Sequence, residues 1–394
     1  MRSLGLSMRL AAAVSCGALL VGAVPAAGSA TGRPRGALVS VTPVAELDAD
    51  QVSRYLTRFG LDPSQVRYGV DAKRIVYRTV DPRGRPTSAS ALVAVPHNSD
   101  RTPRHVTWLH GTTAYRGSVA SVSDGNDRAA ALLFAAAGYL TTAPDYLGLG
   151  VGPGAHPYAH ARSTVTASVD ALRATRQLAG REGRRPDPRV LVTGHSQGGH
   201  ATMALGQALQ QHADPRLRLG GLAPIAGPLR PSALISDALA GRIANGVAYL
   251  AYWTVAWNRL YHLYDSPAEA FRDPSVEALF DGDHPNEEIF PRLPATVTEL
   301  FTPDYLARLE QPAGVLGTAL TEADRFCDWR PRVPVRLYAS SGDRDVPIQS
   351  SAYCRQRLDQ HGAHAVLVDL GADVDHGRAP DLALPRILAG FDRS

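Results

Sequence analysis

Residues 190–201 read VLVTGHSQGGHA, an apolar run that ends in three glycines crowded round one serine. VLVT is apolar and largely β-branched, as a strand buried on both faces requires, and GGHATMALGQALQQHA after it reads as a helix. Gly194-His195-Ser196-Gln197-Gly198 is therefore G-x-S-x-G placed between a strand and a helix, the context in which that pattern marks a nucleophile elbow. The serine of such an elbow holds a strained backbone at the tip of a very sharp turn, where neighbouring side chains would collide. Gly194 and Gly198 remove those collisions, and Gly199 lets the helix start close against the sheet. A plain strand-to-helix turn needs one glycine, not this set. The helix N-terminus then points free N–H groups at whatever bonds to Ser196.

Outward from this stretch, strands and helices alternate. HVTWLHG, YLTTAPDY and RVLVTGHS read as strands, and DRAAALLFAAAG and STVTASVDALRATRQLAG as helices that end at Gly138 and Gly180. Near-continuous apolar strands separated by helices predict a mostly parallel sheet covered on both faces. Upstream, KRIVYRTVDPRGRPTSASALVAVP predicts an antiparallel hairpin about the turn DPRGRP. Residues 31 to about 70 read as irregular, apart from a short helix in DADQVSRYLTRFG. After LRLGGLAPIAGP the alternation stops, and 229–330 is rich in Pro, Tyr and Trp with short helical pieces. It resumes with PVRLYASSG, QSSAYCRQRLDQHG, HAVLVDLG and PDLALPRILAGF. The chain thus divides into a sheet core (31–228 and 331–394) and an inserted helical cap or lid (229–330).

A serine hydroxyl is a poor nucleophile unless a base takes its proton and a carboxylate orients that base. On this architecture the partners follow in the order Ser, Asp/Glu, His, each at the end of a later strand. VRLYASSGDRDVPIQ reaches Asp343 and Asp345, and HAVLVDLGADVDHGRAP reaches His376. Asp343, first in D-x-x-V-P after Gly342, is the expected acid; Asp345 is the alternative acid, or a cap for the helix near Gln349. Of thirteen histidines only His361, His364 and His376 follow these acids. His361 ends a helix and His364 begins a strand, the wrong ends of the sheet, so His376 is the expected base. Asp373 and Asp375 lie too near it in sequence to reach the far side of its ring. The developing oxyanion needs fixed N–H donors. Gln197 N–H is one, and the turn after HVTWLHG offers Thr112 N–H as the other, with Thr113 next.

HGTTA, GYLTTAPDYLGLG, HPYAHARSTVTASVDALRA and GHSQGGHATMA together resemble the secretory lipase family of α/β-hydrolases, which includes the fungal lipase A-type enzymes. FDGDHPNEEIFPRLP resembles that family's cap, and the likeness covers most of 70–394. The resemblance implies an α/β-hydrolase fold, a mostly parallel sheet flanked by helices with an inserted helical cap. It also implies extracellular cleavage of carboxylic esters, as a lipase or esterase, without a cofactor. Asp145 is implied as support for the oxyanion loop, or as a loop clamp that accepts backbone N–H groups. His156, Tyr158 and His160 read as structural. The aromatic stripe Tyr249, Tyr252, Trp253, Trp257, Tyr261 and Tyr264 suits either an acyl-chain tunnel or the cap's own core. Glu287-Glu288 keeps open a second reading, an exopeptidase or amidase that grips an amino group. An intact Ser–Asp–His set argues against a non-catalytic binding protein.

The N-terminus carries Arg2 and Arg9, the apolar AAAVSCGALLVGAV and the small residues PAAGSA, a secretory signal peptide over 1–30. Cys16 lies inside the apolar run, which does not fit a lipid-anchored cysteine. Its removal leaves Cys327 and Cys354, an even pair that predicts one disulfide in an oxidising compartment. With 44% hydrophobic and 20% charged residues the chain reads as folded rather than disordered. A formal charge of +4, carried by scattered arginines, gives no nucleic-acid stripe. The expected partners are a small-molecule ester or lipid substrate and a lipid interface, with no permanent membrane span. His195/His200 and His361/His364 match metal spacings only superficially, and DGDHPNEE lacks the central glycine of a calcium loop, so no metal is assigned.

Overall fold

The computed structural model describes residues 34–393, so the signal peptide expected at 1–30 lies outside the described residues. Nine strands make one sheet: β1 (Leu38–Leu47), β2 (Val70–Val80), β3 (Pro86–Pro96), β4 (His105–Leu109), β5 (Leu140–Pro144), β6 (Arg189–His195), β7 (Arg218–Ile225), β8 (Val335–Ala339) and β9 (Ala365–Asp369). They lie in the order β1-β2-β3-β5-β4-β6-β7-β8-β9. From β5 to β9 every neighbouring pair is parallel, whereas β1, β2 and β3 are antiparallel. The β2–β3 hairpin turns where DPRGRP predicts it. Asp81 closes that turn by accepting the N–H groups of Arg83 and Arg85, both at 2.9 Å.

One expectation is corrected. Residues 31–70 are not irregular, because β1 runs antiparallel to β2 over ten residues. It is an edge strand with only Leu38 buried and with a register shift between Pro43 and Ala45. A strand paired on one side tolerates Pro43, which has no N–H to donate, and needs no apolar face to persist. The helix expected after it is α1 (Ala49–Arg58), started by a capping box between Asp48 and Gln51.

The helices α2 (Asn126–Ala136), α3 (Ala161–Arg181) and α4 (Gln197–Gln210) fill the connections between the early parallel strands. Past β8 come α12 (Gln349–Gln360) and, after β9, α13 (Ala379–Asp392). Helices α1, α2 and α13 share one core with Val106, Trp108, Leu191 and Ile225. On the opposite face α3, α4 and α12 pack on Leu109, Val190, Val192 and Leu337. Val190 and Val192 thus point one way and Leu191 the other, the alternation of a strand buried on both faces. From Ala129 to Ala136 helix α2 is apolar on every face because it is buried on every face.

Between β7 and β8 stand α5 (Pro231–Leu239), α6 (Gly246–Tyr261), α7 (Pro267–Ala270), α8 (Asn286–Ile289), α9 (Val297–Leu300), α10 (Pro303–Glu310) and α11 (Gly314–Ala323). They build a core of their own from Tyr252, Trp253, Trp257, Phe271, Phe301 and Tyr305, joined by Ala114 and Tyr158 from the sheet's loops. The aromatic stripe is therefore largely this segment's packing. Polar anchors tie it down: Tyr252 donates to the Thr113 carbonyl at 3.2 Å, and Trp257 to the Tyr158 carbonyl at 3.2 Å.

Cys327 and Cys354 form a disulfide across 27 residues of sequence, joining the turn before β8 to α12. A loop of that length restrains the unfolded chain by roughly 3.5 kcal/mol. Replacing both cysteines by serine is expected to lower stability by about that amount, seen as a lower urea midpoint; an unchanged midpoint contradicts it.

Candidate active site

Ser196 ends β6 and starts α4 with φ 56° and ψ −117°, a left-handed backbone that a non-glycine residue adopts only under constraint. The glycines beside it explain the constraint. A Cβ on Gly198 would lie 1.9 Å from the Leu109 carbonyl oxygen, and one on Gly194 would lie 2.4 Å from the same atom. A Cβ on Gly199 would lie 2.7 Å from the Gly227 Cα, just beyond β7. The helix can begin this close to β4 and β7 only without those side chains. Its first N–H groups, beginning with Gln197, have no intrahelical acceptor and lie beside the serine.

Asp343 follows β8 and His376 follows β9. Asp343 Oδ2 and His376 Nδ1 stand 2.7 Å apart, with the carboxylate side chain fully buried. Asp343 Oδ1 accepts the N–H groups of Asp345 and Val346, both at 2.8 Å. The carboxylate can only accept, so His376 Nδ1 donates and Nε2 is left with a lone pair. Ser340 Oγ, in the loop of Asp343, donates to the Val374 carbonyl at 2.5 Å and ties that loop to the one bearing His376. Ser196 and His376 line the same open cleft of about 480 Å³, together with Gly111, Thr112 and Glu287.

Asp345 does something else. Its Oδ1 accepts from the N–H of Asn245 at 3.2 Å and from that residue's side-chain amide at 2.9 Å. It fastens the start of α6 rather than the start of α12. Asp375 accepts the Arg378 N–H at 2.9 Å, a local turn.

The residues marked x in G-x-S-x-G each hold a partner that the sequence pattern did not reveal. His195 Nε2 faces the His376 carbonyl at 3.0 Å, with the two rings 4.6 Å apart. Burial, then the neighbouring His376, push the His195 ring well below its usual range, so it is neutral and donates to that carbonyl. Gln197 points its amide nitrogen at His156 Nε2, 3.0 Å away. His156 Nδ1 donates to the Leu147 carbonyl at 2.9 Å, which leaves Nε2 to accept and fixes the orientation of the Gln197 amide. Both links cross from the elbow to loops far away in sequence, so no local motif announces them.

The loop after β4 reaches Ser196 from the other side, for a Cβ on Gly111 would stand 3.6 Å from the Ser196 Cβ. Thr112 lies in this loop, its hydroxyl 2.9 Å from that of Tyr158. Asn286, at the start of α8, clamps the loop by donating to the Thr112 carbonyl at 3.2 Å and accepting from the Ala114 N–H at 3.0 Å. Asp145 is fully buried and accepts from the hydroxyls of Ser90 at 2.6 Å and Ser121 at 2.5 Å, and from the Ser121 N–H at 3.3 Å. It clamps the loop between β4 and α2 through two hydroxyls as well as a backbone N–H. Glu287 lines the cleft, and Glu288 is exposed. Among the described residues Glu46, Asp71 and His97 bring their ligand atoms within 4.8 Å of one another, but on the β1–β2 edge, with the Lys73 ammonium 3.7 Å from Asp71.

The profile of the family described as "Secretory lipase" matches residues 126–371, more than half of the chain. The chain belongs to the secretory lipase family. It is a carboxylic ester hydrolase with the α/β-hydrolase fold. Among solved structures it is similar to the rice cell wall degrading esterase LipA from Xanthomonas oryzae, with 27% identity and a TM-score of 0.80, covering 91% of this chain and 98% of that one. A Legionella pneumophila protein matches at 25% identity and a TM-score of 0.83, covering 90% and 97%. Candida antarctica lipase A shares the fold at 13% identity and a TM-score of 0.65, covering 91% and 83%. No curated protein sequence matches.

Burial holds several histidines around the elbow neutral, with His156 pushed down to about 3. In the unfolded chain such a ring titrates near its ordinary value of 6.5. The unfolded state therefore binds more protons below that pH, and the stability present above 6.5 is lost as pH falls toward the folded value. Between pH 7 and 5, wild type is expected to lose up to about 2 kcal/mol more than His156→Gln, read from urea midpoints. Parallel pH curves contradict this.

Proposed function

We propose that the protein is a secreted serine hydrolase that cleaves carboxylic esters through an acyl-enzyme. The observation that carries the reading is the 2.7 Å pairing of Asp343 with His376 beside a serine held in an elbow in the same cleft. Ser196 Oγ attacks the ester carbonyl as His376 Nε2 takes its proton; Asp343 holds the imidazole tautomer and stabilises its charge. The N–H groups of Gln197 and Thr112 hold the oxyanion, with Asp145 supporting the Thr112 loop. The alkoxide leaves with the proton from His376, and water repeats the attack with His376 as base. The acyl group departs as a carboxylic acid, and no cofactor enters either half.

The segment 229–330 serves as a cap, and Asp345 fastens its first long helix to the acid's loop. Two further features fit an exported lipase or esterase: the signal-like 1–30 and the disulfide. The secretory family supports the same location. No helix among the described residues is long and apolar enough to cross a membrane.

Hydrolysis of p-nitrophenyl esters tests the roles. Ser196→Ala is expected to remove essentially all activity, and Asp343→Asn to lower kcat by roughly 10⁴-fold through loss of the working tautomer. Asp345→Asn is expected to keep kcat within about tenfold of wild type, because it loosens an anchor rather than the base. If Asp345→Asn is as damaged as Asp343→Asn, the assignment of the acid fails.

A further inference from the structure

A second, narrower cavity opens from Ser196, away from the wide cleft. It holds about 70 Å³ and runs beneath α5 and α6 between Leu234, Ile235, Leu250, Trp253 and Trp257. That is well below the roughly 300–1,000 Å³ of sites for drug-sized ligands, so it accepts a short chain rather than a long fatty acyl group. Its walls are mostly apolar; the polar lining comes from Thr112 and Tyr158, whose hydroxyls pair with each other at 2.9 Å, from Tyr249, and from α4, which contributes Gln197 and His200, three residues apart and so on one face of the helix.

Both side chains are about 4% exposed, and each carries a buried polar atom with no partner: Gln197 Oε1 and His200 Nε2. Their chemistry is fixed by what the rest of each group does. The Gln197 nitrogen donates to His156 Nε2, which leaves the amide oxygen pointing elsewhere. His200 bonds the Ala323 carbonyl through its other ring nitrogen, so Nε2 has a lone pair and no proton. Two unpaired acceptors thus belong to residues lining a largely apolar chamber beside the nucleophile. A buried acceptor left unpaired costs free energy that a donor from the ligand restores.

We infer that this cavity is an acyl pocket for short acyl groups bearing a hydroxyl, whose O–H donates to His200 Nε2 or Gln197 Oε1. The inference rests on the ester-hydrolase reading above and adds the substrate's acyl half. An acyl chain without a donor leaves both acceptors unpaired, so the pocket discriminates by hydrogen bonding as well as by length. The alcohol half of the ester lies in the wide cleft beside Glu287.

The test compares ethyl 3-hydroxybutyrate with ethyl butyrate on the mature protein by pH-stat titration. Each kcat/KM is divided by the ester's rate of hydroxide-catalysed hydrolysis. The normalised ratio is expected to favour the hydroxy ester at least tenfold, and His200→Leu to bring it within about threefold of one. Competitive inhibition by 3-hydroxybutyrate against butyrate gives the same comparison on wild type alone, whatever the variant's folding. If ethyl butyrate is cleaved and both wild-type ratios lie at or below one, the hydroxyacyl pocket is overturned and the ester reading stands. If neither ester nor p-nitrophenyl butyrate is cleaved, both fall together.

Discussion

The carbonyl oxygen of Leu109 is the fixed point on which the site is built. Helix α4 begins so close to the end of β4 that a single methyl on Gly198 would stand 1.9 Å from that oxygen. The closeness forces Ser196 into its left-handed backbone, which lifts the hydroxyl out of the sheet and places the helix's first N–H groups beside it. Nothing local stabilises such a turn. It persists because Val190, Val192 and Leu109 are locked in the core beneath it and Gly199 abuts the end of β7.

From this point the site is held by links that leave the elbow in both directions. His195 reaches the backbone of His376, and Gln197 reaches His156 and, through it, the Leu147 carbonyl. The loop of Asp343 is tied to the loop of His376 by Ser340 and to α6 by Asp345. Buried and charge-assisted hydrogen bonds of this kind contribute roughly 1–3 kcal/mol each. They also remove rotamer freedom from the groups that must meet at the substrate carbonyl. The helical segment between β7 and β8 is fastened to Thr113, Thr112 and Asp345, in the loop after β4 and in the loop that carries Asp343.

What could be read from the sequence is what short-range chemistry specifies. The elbow was legible because its glycines are needed by sterics within five residues, and the parallel sheet because each buried strand is apolar throughout. Asp343 was read from strand order and the D-x-x-V-P pattern and His376 from strand order and elimination, and the folded chain brings the two within 2.7 Å; the cysteine pairing was legible from count and compartment. The strand β1 was missed because an edge strand with a proline and few buried side chains carries no strong alternation. Asp345 was read as an acid or a helix cap because its partner, Asn245, lies 100 residues away. Gln197 was read only as a backbone N–H donor, and His195 and His200 only as a superficial metal spacing, for a related reason: the partners of their side chains come from other loops, and only the folded chain shows which of their polar atoms remain unpaired.

The central claim is that the elbow makes Ser196 alone a nucleophile, driven by His376. Covalent trapping tests it most directly. The mature protein is incubated with a p-nitrophenyl alkylphosphonate, and the adduct is located by intact mass and peptide mapping. The account predicts one phosphonyl group per chain, on the peptide containing Ser196, and no adduct on the same time scale in His376→Ala. Labelling of another residue, or equal labelling of Ser196 without His376, would contradict it.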